Sequence, residues 1–229
     1  MDFRRVVLQA SADRLPALRD FYEGQLGIES LGGDRYSIGA AELAFEAAAG
    51  NPFYHFALLV PGDRFDAARS WASARVDLLP GGDIEEIVFD FANWDALAFY
   101  FHDPGGNIVE LIAHRGIGEN GTTGAFTASE LLGFSELGLV GNPKEMAHSL
   151  EQLGLELWDG ELEERGRLAF LGQRARTLIL SPEGRGWLPT GRPAEAHPVD
   201  VLLEGQPTGE VETDGHRVRR GGQARASHH

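Results

Sequence analysis

Glu110 sits inside an extended run, in the stretch AFYFHDPGGNIVELI of residues 98–112, between Val109 and Leu111. A carboxylate among apolar neighbours either finds a partner, because burying it alone is costly, or points to water on the alternate face of a strand. His55 poses the same question in FYHFALLV, residues 53–60. On its residues alone, a lone strand imidazole reads as one bonded to a backbone carbonyl. Tyr100 and His102 share parity on the strand before the turn. Either is an acid–base group if it faces inward; otherwise Tyr100 is a packed aromatic and His102 an exposed flank. Glu42 and Glu46 share one strand face, as do Arg5 and Gln9.

The elements that must position these groups repeat. Asp103-Pro104-Gly105-Gly106-Asn107 supplies turn chemistry between Phe99–His102 and Ile108–Ile112. Upstream, Arg5–Ala10 reads as a strand, followed by a helix capped by Asp13, with Leu15, Leu18, Tyr22 and Leu26 as its apolar stripe and Gly27 as its stop. Tyr36–Ile38 and Glu42–Ala47 form a hairpin. Tyr54–Val60 then opens a second unit, whose helix is capped by Asp63 and carries Phe65, Ala68 and Ala72. Strand, helix and two or three strands recur at about fifty residues per unit, the mark of an internal duplication. A third copy runs from Phe134–Val140 through a helix begun by Asn142-Pro143 and ended by Gly154, to strands at 168–171, 176–180 and 199–203. Locally EGQLGIE, from Glu23, rhymes with LEQLGLE, from Leu150.

The expected organisation is therefore a two-module domain over 1–115, a linker over 116–129, a third module over 130–205 and a disordered tail over 206–229 ending in His228-His229. Zero cysteines exclude disulfides and thiolate metal sites. A net charge of −15 argues against nucleic-acid binding. No apolar run approaches a membrane span, so a soluble cytoplasmic protein is expected.

FYFHDPGGNIVELI resembles the closing hairpin of the vicinal oxygen chelate superfamily, which holds glyoxalase I, extradiol ring-cleaving dioxygenases and bleomycin- and fosfomycin-resistance proteins. LRDFYEGQLGIES resembles the end of that superfamily's first helix, and FYHFALLV the strand opening its second module. The resemblance implies an α+β fold in which paired βαβββ modules form an open, curled mixed β-sheet barrel with flanking helices, plus the third related module. It also implies a divalent metal (Fe, Mn, Zn or Ni) held by first and last strands. His55 and Glu110 match two ligands of the second module. Arg5 stands where histidine is usual in the first, and an arginine cannot ligate. Glu46 is then the natural third ligand, level with Gln9; alternatively these two are a hydrogen-bonded pair in the barrel wall, with Arg5 paired to Glu46. Glu136 occupies the opening-strand position of the third module, but no acid or histidine answers it on 176–180, so no metal is expected there.

Two function classes follow from the resemblance. One is a metalloenzyme, glyoxalase-like or dioxygenase-like, in which His55, Glu110 and Glu46 hold the ion, Tyr100 is the candidate catalytic group, and a small substrate chelates through vicinal oxygens. The other is a metal-free sequestering protein of the bleomycin-resistance type. A homodimer is expected in either case.

Overall fold

The computed structural model describes residues 1–81, 86–162 and 167–222. The first unit runs β1 (Asp2–Ser11), α1 (Leu15–Arg19), a π-helical extension over Asp20–Gln25, β2 (Arg35–Ile38) and β3 (Ala41–Ala48). The second runs β4 (His55–Val60), α2 (Phe65–Ser73), β5 (Leu78–Leu79), β6 (Phe89–Phe91), β7 (Ala96–His102) and β8 (Ile108–His114). The third runs β9 (Gly133–Val140), α3 (Pro143–Leu150), β10 (Leu157–Gly160), β11 (Ala169–Gln173) and β12 (Arg176–Ser181). A short hairpin of β13 (Gly186–Trp187) and β14 (Arg192–Pro193) precedes β15 (Asp200–Glu204), β16 (Gly209–Thr213) and β17 (His216–Arg220). None of the described helices is long and apolar enough to cross a membrane.

The units do not pair in chain order. One sheet runs β10-β11-β12-β9-β4-β8-β7-β5 and joins the second unit to the third; the other runs β16-β17-β15-β1-β3-β2. The expected pairing of the first unit with the second is thus corrected. The reason lies in the strands. All six residues of β4 and all eight of β9 are buried, as befits neighbouring central strands covered on both faces. By contrast β1 and β15 carry Arg5, Gln9, Asp200 and Glu204 on partly exposed positions, and they pair with each other, antiparallel. β15, β16 and β17 repeat the unit without a helix, since β15 lies parallel to β17 and β16 hairpins onto its outer side. This corrects the expectation of a disordered tail over 206–222; Val211 and Val218 are buried there. His228-His229 lie outside the described residues.

Apolar faces of both sheets meet in one core. Val6 and Leu8 lie on one side, Phe56, Leu58, Leu137 and Leu139 on the other, with Phe134 5.7 Å from Phe3 and 5.8 Å from Phe56 between ring centroids. Burying each such side chain contributes about 1.5–3 kcal/mol. Asn142 caps α3 by accepting from the amides of Lys144 and Glu145, and Gly154 closes that helix at φ 65°. Asp13 and Asp63 do not cap: the N-cap positions are Arg14 and Arg64, and the Asp63 carboxylate accepts from the amide of Gly121 instead. Arg64 is buried and donates to Glu130 and to the carbonyls of Thr122 and Gly124, which holds the 116–129 connection against α2.

The turn after β7 sets the register of β8. The Asp103 carboxylate accepts from the Asn107 amide at 3.0 Å, the Asn107 side chain at 2.8 Å and the Tyr22 hydroxyl at 2.8 Å. Asn107 in turn accepts from the amide of Tyr54 at 2.8 Å, just ahead of His55. Tyr22→Phe removes a buried donor from a buried carboxylate and is expected to cost about 1–3 kcal/mol in a urea unfolding series. His114 offers a pH test. It is fully buried at the end of β8, and burial lowers its pKa from 6.5 to about 4. Between those two values the unfolded chain binds more protons, so this group contributes stability that is lost as pH falls through the window. His114→Gln is expected to flatten the decline of the urea midpoint between pH 6.5 and 4.

Candidate metal centre

Three strands bring the chemistry together in one row. Ala57, on β4, is the cross-strand partner of Glu110 on β8 and of Glu136 on β9. Directly paired residues share a sheet face, so the two carboxylates flank a methyl group and lean over it toward each other. The row continues outward, with Tyr100 opposite Glu110 and Thr177 opposite Glu136. His55 precedes Ala57 by two residues and projects from the same face. Ligand atoms of His55, Glu110 and Glu136 all lie within 4.8 Å of one another, and all three residues are buried.

The imidazole is oriented. His55 Nδ1 lies 3.1 Å from the carbonyl oxygen of Ile108, a contact that assigns its proton to Nδ1 and leaves the Nε2 lone pair to the acids. Nε2 is 3.5 Å from a Glu110 oxygen. Burial lowers the His55 pKa to about 4, a pull stronger than that of the Ile108 bond that raises it. Burial raises Glu136 to about 8 and raises Glu110 well above the carboxylate range, with the neighbouring Glu136 charge adding to the shift. Both sides of the 3.5 Å contact thus move toward neutrality, so it joins an imidazole to a carboxylic acid rather than two ions. Tyr100 bonds to Glu110, and burial raises its pKa well above 10, which keeps its hydroxyl a donor.

The donor set suits a divalent cation. One imidazole and two carboxylates supply compact nitrogen and oxygen ligands whose charge a 2+ ion balances, and the second Glu110 oxygen is buried with no hydrogen-bond partner. Ile179, two residues beyond Thr177 on β12, takes the place that Glu110 holds in the second unit, so the third unit offers one ligand. Around the cluster is a cavity of about 60 Å³, walled by Trp94, Phe170, Ile179 and Trp187. Trp187 packs against the His55 ring at 5.0 Å between centroids, the two planes tilted by 43°. Gly138 makes room for it, since a Cβ there would stand 3.0 Å from the indole and 3.1 Å from the His55 carbonyl oxygen.

Of the residues singled out from the sequence, His55, Glu110 and Tyr100 come together. Glu46 does not. It lies exposed on β3 of the other sheet, level with Gln9 as expected, and it is remote from His55 because the first unit does not pair with the second. Arg5 pairs with Glu42 at 3.2 Å rather than with Glu46. Glu136 of the third unit, where no metal was expected, stands with His55 and Glu110 instead. Its signal was available: it stands in the opening strand of its unit, as His55 does in its own. His102 is exposed, with Nδ1 3.2 Å from the Asn107 carbonyl.

The corresponding row in the other sheet shows what the cluster is not. There Ala44, Val7, Asp200 and Arg217 occupy the places of Glu110, Ala57, Glu136 and Thr177. An acid beside an arginine on a solvated face needs no metal.

The architecture has solved counterparts. A putative dioxygenase from Bacillus subtilis superposes with a TM-score of 0.55 at 15% identity, covering 96% of this chain and 85% of that one. A glyoxalase I mutant from Zea mays does so with a TM-score of 0.53 at 15% identity, covering 96% and 92%. No family model and no curated protein matches the sequence. The chain therefore shares the α+β fold of these two structures, with open, curled mixed sheets.

Ala57 is the small residue on which this convergence turns. Ala57→Leu is expected to drive a branched side chain between Glu110 and Glu136, at about 1–3 kcal/mol of strain. Metal uptake should fall with the fold retained, read by elemental analysis beside circular dichroism.

Proposed function

We propose that this protein binds a divalent metal ion through His55, Glu110 and Glu136 and acts on a small molecule that offers vicinal oxygens. The observation that carries the reading is the convergence of those three ligand atoms over Ala57, within 4.8 Å of one another and out of water. Iron(II), manganese, zinc and nickel all accept such a set. Bound there, the ion supplies Lewis acidity toward adjacent substrate oxygens. The activity is of the glyoxalase-like or ring-cleaving dioxygenase-like kind.

The chain's own groups divide the remaining work. Ile108 holds the imidazole in one tautomer. Tyr100 keeps its proton and donates to Glu110, which makes it a positioning residue that fixes one carboxylate oxygen. Trp187 and Ile179 keep bulk water away from the reacting end of the cavity. A second reading, a metal-free protein that sequesters an apolar ligand, draws on the aromatic walls around the same cavity.

Metal analysis separates the two. Protein purified without chelators should carry stoichiometric metal, and His55→Ala and Glu136→Gln should each weaken its retention by about tenfold or more. Glu46→Gln should retain it. A metal-free wild type that still binds an aromatic ligand supports the sequestering protein, and a Glu136→Gln protein with full metal content refutes the ligand set.

A further inference from the structure

One polar group in the row across the sheet has no partner. Thr177 is 1% exposed, and its hydroxyl oxygen is buried without a hydrogen bond. Buried hydroxyls are as a rule bonded, so an orphan of this kind calls for a reason. Its neighbours narrow the choice. Thr177 pairs with Glu136 on β9 and with Gly172 on β11, and a glycine offers no side chain. Ile179, next on the same face, is apolar and walls the cavity, which places the Thr177 side chain on the face of the metal centre. Gly138, opposite Ile179, brings nothing polar either. Among the described side chains that flank Thr177 on this face, Glu136 alone can accept from its hydroxyl.

The two acids of the centre are provided for unequally. Glu110 receives the Tyr100 hydroxyl from β7, on its outer side in the row. No described hydrogen bond reaches Glu136, on which burial alone acts. Thr177 holds the matching place on the outer side of Glu136. Neighbouring strands lie about 4.8 Å apart, so a hydroxyl on one reaches a carboxylate on the next by rotation about χ1, with the backbone unmoved. Arg217 holds the corresponding place in the other sheet, beside Asp200, so a donor flanks the acid in both rows. Carboxylates that ligate a metal are themselves held by hydrogen bonds, and an ionised acceptor makes the stronger bond.

Resting on the metal reading above, we propose that Thr177 is a positioning residue of the centre, whose hydroxyl donates to the Glu136 carboxylate in the metal-bound protein as Tyr100 donates to Glu110. Each acid is then flanked on its outer side by one hydroxyl, and neither is free to swing out of the row.

The test reads the zinc affinity of the full-length protein by competition with a chromophoric chelator. Thr177→Val, which keeps the shape and removes the hydroxyl, should bind zinc about tenfold more weakly, the scale on which such supporting bonds act. Thr177→Ser should recover most of that loss. In a Glu136→Ala background, which has no acceptor, Thr177→Val should change the affinity by less than about twofold. The metal-free protein supplies the control. Losing an unpartnered hydroxyl should leave the urea midpoint of Thr177→Val at or above that of wild type; a lowered midpoint assigns the hydroxyl a structural bond and overturns the proposal. Thr177→Ala carries the same comparisons if the valine variant does not fold. Wild-type affinity in Thr177→Val, an equal loss in Thr177→Ser, or an equal loss in the Glu136→Ala background overturns this inference and leaves the metal reading intact. A wild type that takes up no zinc overturns both.

Discussion

Two carboxyl groups and an imidazole meeting in a dry space are the constraint around which the rest of this structure is arranged. Left to themselves, like-charged acids at this separation cannot both ionise, and burial alone raises Glu136 to about 8. The fold nonetheless keeps them together. It places a methyl group beneath them, fixes the imidazole on the Ile108 carbonyl, lends one acid a Tyr100 hydroxyl and covers the set with Trp187. Each of those contacts opposes the relaxation that would relieve the crowding, namely rotation of a carboxylate toward water. The proposed cation would relieve that crowding, because a divalent charge offsets the repulsion that protons must otherwise remove.

That centre exists because β4 lies beside β9, and the sequence contained the reason. HFALLV and GFSELGLV are apolar on both faces apart from the chemistry they carry, which is how neighbouring central strands read. RRVVLQA and DVLLE carry Arg5, Gln9, Asp200 and Glu204 on partly exposed positions around their apolar residues, which is how strands with one wet face read. Sorting the opening strands by this difference pairs the second unit with the third and the first with the last. Chain order pairs them otherwise, and chain order placed Glu46 in the site. The register inside the first unit was legible, as Gln9 and Glu46 do stand level. Local spacing fixes neighbours within a unit, but only burial on both faces says which units share a sheet.

The closing strands were less legible. β16 and β17 bury little beyond Val211, His216 and Val218, among Gly, Glu and Arg, so no apolar period announces them. Their order comes from partners elsewhere in the chain: β17 lies along β15, and α3 of the third unit packs on β16. A unit without its own helix is stable here because a neighbour's helix covers it. Cap positions failed for a similar reason. Asp63 looks like an N-cap in isolation, but its carboxylate is engaged by Gly121, in the connection that Arg64 also holds.

One architecture is therefore used twice with opposite results. In the sheet of β1 and β15, the row through Val7 sets Asp200 beside Arg217, with Arg219 2.5 Å from Asp200 and Arg5 and Arg35 both on Glu42. Those charges are mutually satisfied and partly in water, where a metal would gain little over the arginines already present. In the sheet of β4 and β9 no arginine enters the row, and Ala57 and Thr177 keep it short and dry. The acids there must be neutralised by protons or by a cation. It is that difference in neighbours, not the fold the two halves share, that confines the buried cluster of acids and imidazole to one of them.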